Sequence, residues 1–116
     1  MTRSSGGVST LDYHVLLAMA AGPAYGYAIK EAVETESRGT LTPRAGSLYR
    51  VIARLVTHGL VAEASPMGGA APHPGRERRY YALTAAGRAA LADETARLKG
   101  AAALAERRLR AWEGGR

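Results

Sequence analysis

Four side chains close together in the sequence offer the clearest chemistry: Arg44, Ser47, Arg50 and Arg54. Ser47, Arg50 and Arg54 are spaced i, i+3 and i+7, which places them along one side of a helix. Leu48, Val51, Ile52, Leu55 and Val56 repeat the same spacing on the other side. No acidic residue lies between Pro43 and His58. A guanidinium presents a rigid fork that fits guanine O6 and N7, or a phosphate, through two parallel hydrogen bonds. A second basic group, Arg76, Arg78 and Arg79, is interrupted only by Glu77; such a cluster on a loop suits phosphate or minor-groove contact. Tyrosine hydroxyls also reach phosphates, although a tyrosine at helical spacing is often a core residue. Tyr25 is read as core, and Tyr27 and Tyr49, at the edges of apolar stripes, fit either role.

The elements that would position these groups follow from spacing and punctuation. Thr10 is placed to cap a first helix over the apolar run Leu11 to Ala21, with Asp12 favourable near its positive end, and Gly22-Pro23 to stop it. A second helix is expected from about Ala24 to Ser37, its buried face being Tyr25, Ala28, Ile29, Ala32 and Val33, with Gly39 as the left-handed residue after it. Gly26 near its start suggests a close approach by a neighbouring helix. The third helix is expected to take Thr42 as N-cap and Pro43 as first residue, and to end at Gly59 with Leu60 folded back as in a Schellman cap.

Residues 60 to 64 read as a short strand, residues 65 to 75 as a loop rich in Pro and Gly, and residues 78 to 83 as a second strand with Tyr81 and Leu83 facing inward. Thr84 is expected to cap a last helix reaching about Trp112, with Gly100 as a point of bending. Leu91, Thr95, Leu98, Ala102, Ala105, Leu109 and Trp112 alternate in steps of four and three, the spacing of a seam between two helices. A monomer would leave the far part of that seam wet, so Leu91, Leu98, Ala102, Ala105, Leu109 and Trp112 are assigned to an interface with a second copy of the chain; the alternative is that the helix folds back on its own first helix, and both can hold in one dimer.

The order is therefore α-α-α-β-β-α: a mainly helical chain with a small β-hairpin, in which the second and third helices form a helix-turn-helix and the hairpin a wing. Residues 1–9 read as a flexible N-terminal arm, 10–84 as the winged helix-turn-helix domain and 85–116 as a C-terminal dimerisation helix. The whole chain has 116 residues, 16 Lys and Arg against 10 Asp and Glu, and a formal charge of +6. That excess attracts polyanions. With no cysteine there is neither a disulfide framework nor a thiolate metal site, and no apolar run has the length of a membrane span. No motif for catalysis, nucleotide phosphates or metal stands out: His14, His58 and His73 lie on separate elements, and the Gly-rich stretch at residues 67 to 71 has no flanking strand or lysine. No enzyme activity, cofactor or metal is expected, and the location expected is cytoplasmic.

Three stretches, GPAYGYAIKEAVE (22 to 34), GSLYRVIARLVTHGLV (46 to 61) and RRYYALTAAGRAAL (78 to 91), resemble the PadR family of bacterial transcriptional regulators, in its order and spacing. The short C-terminus is similar to the compact subgroup with a single terminal helix. The resemblance implies a dimeric winged-helix repressor, with Ser47, Tyr49, Arg50 and Arg79 in DNA-contacting regions and regulation by a small molecule in some members. The resulting expectation is a homodimer that binds double-stranded DNA at a palindromic operator and responds to a small aromatic effector near the dimer interface. Trp112 is a candidate to stack on that effector or, more simply, to anchor the interface. The alternative is a winged-helix module for protein-protein contacts without specific DNA binding.

Overall fold

The computed structural model describes residues 8–65 and 79–114. Within them the chain runs α1 (Thr10–Ala18), β1 (Ala24–Tyr25), α2 (Gly26–Glu36), α3 (Ala45–Thr57), β2 (Val61–Ala64), β3 (Tyr80–Leu83) and α4 (Ala85–Gly114). This is a mainly helical winged helix with a three-stranded antiparallel sheet and a long C-terminal helix.

Ser9, not Thr10, caps α1: its hydroxyl accepts from the backbone N–H of Asp12 at 3.1 Å. Thr10 is already helical, so its hydroxyl lies one residue late to close the first turn. The helix ends at Ala18, earlier than expected, and residues 19 to 22 form turns. The second helix also starts late. Ala24 and Tyr25 form a two-residue strand paired with Tyr81 and Tyr80 of β3, which makes the hairpin a sheet of order β1-β3-β2. Tyr25 is thus half-buried on a strand, with its ring edge-on to Tyr80 at 5.6 Å, rather than on the inner face of α2.

After α2, Ser37 is the C-cap; Gly39 is left-handed as expected (φ 78), and Arg38 before it is left-handed as well (φ 55). The Gly39 N–H donates to the Glu34 carbonyl and the Arg38 N–H to the Thr35 carbonyl, closing a Schellman motif. The same motif ends α3 as expected: Gly59 is left-handed, and Leu60 donates back to the Leu55 carbonyl at 2.9 Å.

Among the described residues twelve buried apolar side chains form one core: Val15 and Leu16 of α1 and Met19 just after it; Ile29 and Val33 of α2; Leu48, Val51, Ile52 and Leu55 of α3; Val61 of β2; Tyr81 and Leu83 of β3. Each large one contributes about 1.5–3 kcal/mol by leaving water. Three helices and the sheet each offer one face to it, which fixes the angle at which α3 crosses α2. Tyr81 and Leu83 point inward as alternation demands. Val56, expected in the stripe, is 39% exposed at its edge.

The base of the wing is tied by one threonine. The Thr84 hydroxyl donates to the Gly59 carbonyl at 2.6 Å and accepts from the Gly87 N–H at 3.0 Å, capping α4 as its position predicts. Gly87 permits this: a methyl there would lie 2.0 Å from the Leu60 carbonyl oxygen, a backbone atom that cannot yield. From this start α4 runs unbroken through Gly100 for 30 residues, about 45 Å.

Candidate nucleic-acid interface

The outer side of α3 is open. Its N-cap is Arg44, in extended geometry (ψ 155), and no side chain caps the first turn. Thr42 and Pro43 therefore stand before the helix and not in its cap and first position. The residue preceding a proline is driven to extended geometry, and here the extended run continues through Arg44. The first-turn amides of α3 thus lie beside an arginine, an arrangement that favours anions. Ser47 is half-buried, whereas Arg50 is exposed and its Nη2 donates to the Ser47 hydroxyl at 3.3 Å. Gly46 and Ala53, both exposed, flank Arg50 on the same face. Their spacing of seven residues, two helical turns, is the signal that puts them on one face. Around the place of a Gly46 methyl the nearest group is Arg50 Nη1, at 3.8 Å. With so little bulk on this face, a duplex can come close to the helix backbone.

Arg54 has a different setting. Its Nη1 and Nη2 donate to Oδ2 and Oδ1 of Asp12 at 2.8 and 2.9 Å, a two-pronged ion pair between α3 and α1. The Asp12 side chain is only 12% exposed, while that of Arg54 is 46% exposed. The Arg54 hydrogen bonds hold the Asp12 carboxyl below its ordinary value of 3.8, against the opposing effect of burial, with Ser9 and the charge of His58 acting in the same sense as Arg54. Helical spacing alone grouped Arg54 with Arg50, because a partner 42 residues away leaves no local signal.

Tyr27, at the start of α2, and Tyr49, in α3, are 58% and 49% exposed. Tyr49 lies across Gly26: a methyl on Gly26 would meet the Tyr49 hydroxyl at 2.2 Å and its ring carbons at 2.6 and 2.7 Å. The close approach inferred from a glycine at the start of α2 is therefore a tyrosine ring from α3. In the wing, Arg79 is exposed and reaches Glu63 on β2 at 3.5 Å. That contact, between two exposed groups, is worth little. Arg76, Arg78 and the 66–75 part of the loop lie outside the described residues.

Along α4, Leu91 is half-buried against the core, and the Thr95 hydroxyl meets the Tyr13 hydroxyl of α1 at 2.8 Å. Beyond this point the helix leaves the domain. Ala102 and Ala105 are exposed, and Leu98, Leu109 and Trp112 are exposed by 39%, 59% and 67%. Leu104, off the expected seam, is also exposed. A groove of about 620 Å³ opens between Ala20, Leu83 and the first half of α4, where Leu91, Ala92, Thr95 and Ala96 line it, with Arg88 and Lys99 alongside. Trp112 lies 13 residues past Lys99, about 20 Å along the helix, and is not among its lining. Among the described residues no cluster of His, Cys, Asp or Glu is arranged to hold a metal ion, and no helix is long and apolar enough to cross a membrane.

An arginine-bearing helix packed as the second member of a helix-turn-helix, beside a hairpin, defines a winged helix of the kind found in DNA-binding regulators. Residues 15–93 match the PadR-like transcriptional regulator family, and the chain belongs to that family. A PadR family transcription regulator from Clostridium difficile R20291 is similar in structure, with a TM-score of 0.69 at 19% identity over 87% of this chain and 99% of that one. The Bacillus subtilis PadR structure in complex with operator DNA gives a TM-score of 0.61 at 22% identity over 75% of this chain and 47% of that one. Among curated sequences, an uncharacterised 37.1 kDa protein in a Streptomyces fradiae transposon is 42% identical over 89 residues. The match takes in 74% of this chain, which spans about a quarter (23%) of the length of that relative.

Proposed function

We propose that this protein is a sequence-specific DNA-binding repressor that acts as a homodimer on a palindromic operator. The observation that carries this reading is the outer side of α3, where Arg44, Ser47 and Arg50 surround a nearly bare helix face with no acid on it. Arg50 and Ser47 read base edges near the N-terminal end of α3, as is usual for recognition helices. Arg44, the first-turn amides and the Tyr49 hydroxyl hold phosphates. Arg79, with Arg76 and Arg78, takes the flanking backbone or minor groove. Arg54 is engaged by Asp12 in the free protein.

The dimer is supported by the apolar residues Leu98, Leu109 and Trp112 along a helix that has left its own domain. Pairing would remove them from water and set two copies of α3 one DNA turn apart, about 34 Å. Ala102 and Ala105 on the same seam would let two helices approach closely. Domain limits follow: a reading unit over residues 10–84 and a pairing helix over residues 85–116. An aromatic effector would act by preferring one dimer geometry over another. The groove beside Leu91 and Thr95, at the root of the pairing helix, suits its apolar body; Trp112, about 20 Å farther along α4, would stack on an effector there only if the second copy contributed it, and otherwise anchors the interface.

Selection of bound sequences from random duplexes tests the reading. A palindromic consensus, with affinity that falls linearly with salt on logarithmic axes, is the expected result. Recovery of no consensus, together with weak binding to every duplex at low salt, would replace it with a protein-protein module.

A further inference from the structure

The geometry points to Asp12 as a specificity-determining residue: it withholds Arg54 from DNA, so that the basic charge of α3 is concentrated at the end that reads bases. The inference rests on the DNA-reading role proposed for α3. Arg54 stands one turn after Arg50 on a helix that carries no acid, and spacing alone would give it to the duplex. Its two terminal nitrogens are instead committed to both oxygens of one carboxylate, at 2.8 and 2.9 Å. They form one of the two forks that a guanidinium can offer a phosphate, and the charge of the group is balanced by the same carboxylate.

A phosphate that displaced Asp12 would break both bonds and strand a carboxylate that is 12% exposed, and one that met the outward N–H groups of Arg54 would face a charge that Asp12 already balances. An uncompensated charge in such a place is strongly unfavourable, so the pair is retained when DNA binds. Asp12 itself has no slack: it sits in the first turn of α1, its backbone N–H is held by Ser9, and its neighbour Tyr13 is bonded to Thr95 of α4. Non-specific binding is set by the number of phosphates neutralised, whereas base readout depends on a few placed groups. Cancelling one cation on the flank of α3 lowers the first while leaving Arg50 and Ser47 free for the second. The ratio of specific to non-specific affinity therefore rises.

The test compares the full-length protein with Asp12→Ala, Arg54→Met and the double variant. Each is titrated with the selected operator and with a random duplex between about 50 and 200 mM salt. Asp12→Ala should bind the random duplex several-fold more tightly, with a logarithmic salt slope steeper by about 0.9, one extra phosphate. Its preference for the operator should fall. The double variant, which leaves neither charge unpaired and so folds even if the single variants do not, should return to the wild-type slope.

A double variant shallower than wild type by about 0.9 would show that Arg54 already held a phosphate, and would overturn the inference. So would an Asp12→Ala slope equal to wild type, or a gain in Asp12→Ala that survives in the double variant as a general effect of charge. If wild-type protein shows no operator preference, the DNA-reading role falls and takes this inference with it. If it does show preference and the variants disobey, only the role of Asp12 falls.

Discussion

The Tyr49 hydroxyl occupies the space that a side chain on Gly26 would need, 2.2 Å from the position of its first carbon. The start of α2 and the first turns of α3 therefore interlock through one ring over one bare backbone position. This contact sets where Tyr49 presents its hydroxyl. Gly26→Ala must push the ring aside, and because the ring is half exposed it can swing out at modest cost. The variant should melt within a few degrees of wild type, a change of about 1 kcal/mol or less. Its operator affinity, however, should drop about tenfold, or 1.4 kcal/mol. Tyr49→Ala should show a similar loss, and combining the two should add little, as expected for residues in contact. Additive losses in fluorescence anisotropy titrations would separate the two residues.

Arg50→Ala leaves the fold alone, since in the described structure Arg50 is bonded only to the neighbouring Ser47 on its own exposed face. Operator affinity should fall by about 1–3 kcal/mol and discrimination should relax at one base pair. Unchanged gel-shift affinity would remove Arg50 from the reading surface.

The Asp12–Arg54 pair has a pH signature. The folded state holds the carboxyl below its ordinary value of 3.8, so the unfolded chain binds the proton more readily. The stabilisation is complete well above 3.8 and is lost as the pH falls through 3.8 toward the lower folded value. Arg54→Met should cost about 1–3 kcal/mol at neutral pH by stranding Asp12. The double variant should recover most of that loss and unfold less steeply with acid. Denaturant midpoints from pH 7 down to pH 3 measure both effects, and parallel acid profiles for wild type and double variant would contradict them.

Arg38 adopts left-handed geometry without glycine's freedom. Arg38→Gly should raise stability by up to about 1 kcal/mol, since a residue with a Cβ pays roughly that in this region. Urea unfolding with an unchanged m-value is the measurement. A loss of stability would mean that the long side chain supports the turn between α2 and α3.

Leu98→Glu places a charge on the first fully departed turn of α4. In the proposed homodimer it should shift protein toward monomer by light scattering while circular dichroism stays the same. A persistent dimer would place the interface elsewhere.

Much of this was legible in the residues because the signals are local. The stripe Leu48–Val51–Ile52–Leu55, the glycine stop at Gly59 and the threonine cap at Thr84 each depend on neighbours within a few positions, and each is where the spacing puts it. Two shifts at helix starts came from equally local competition: Ser9 against Thr10, and an extended Arg44 against a Thr42 cap. What could not be read was non-local. The strand at Ala24–Tyr25 exists only because β3 lies beside it, 55 to 57 residues on. Arg54 finds Asp12 at a separation of 42 residues. Both arginines of α3 look alike in one dimension; only the third element against which the helix packs tells them apart.

The threonine that joins Gly59 to Gly87 has a bearing on how such proteins diverge. One hydroxyl closes the exit from α3 and the entrance to α4, so the two ends of the wing start from a fixed root. Insertions, deletions or drift between β2 and β3 should leave the tie between α3 and α4 untouched. A lineage can retool what its wing offers a new operator as one changes the bit on a drill, with the spindle and the grip unaltered.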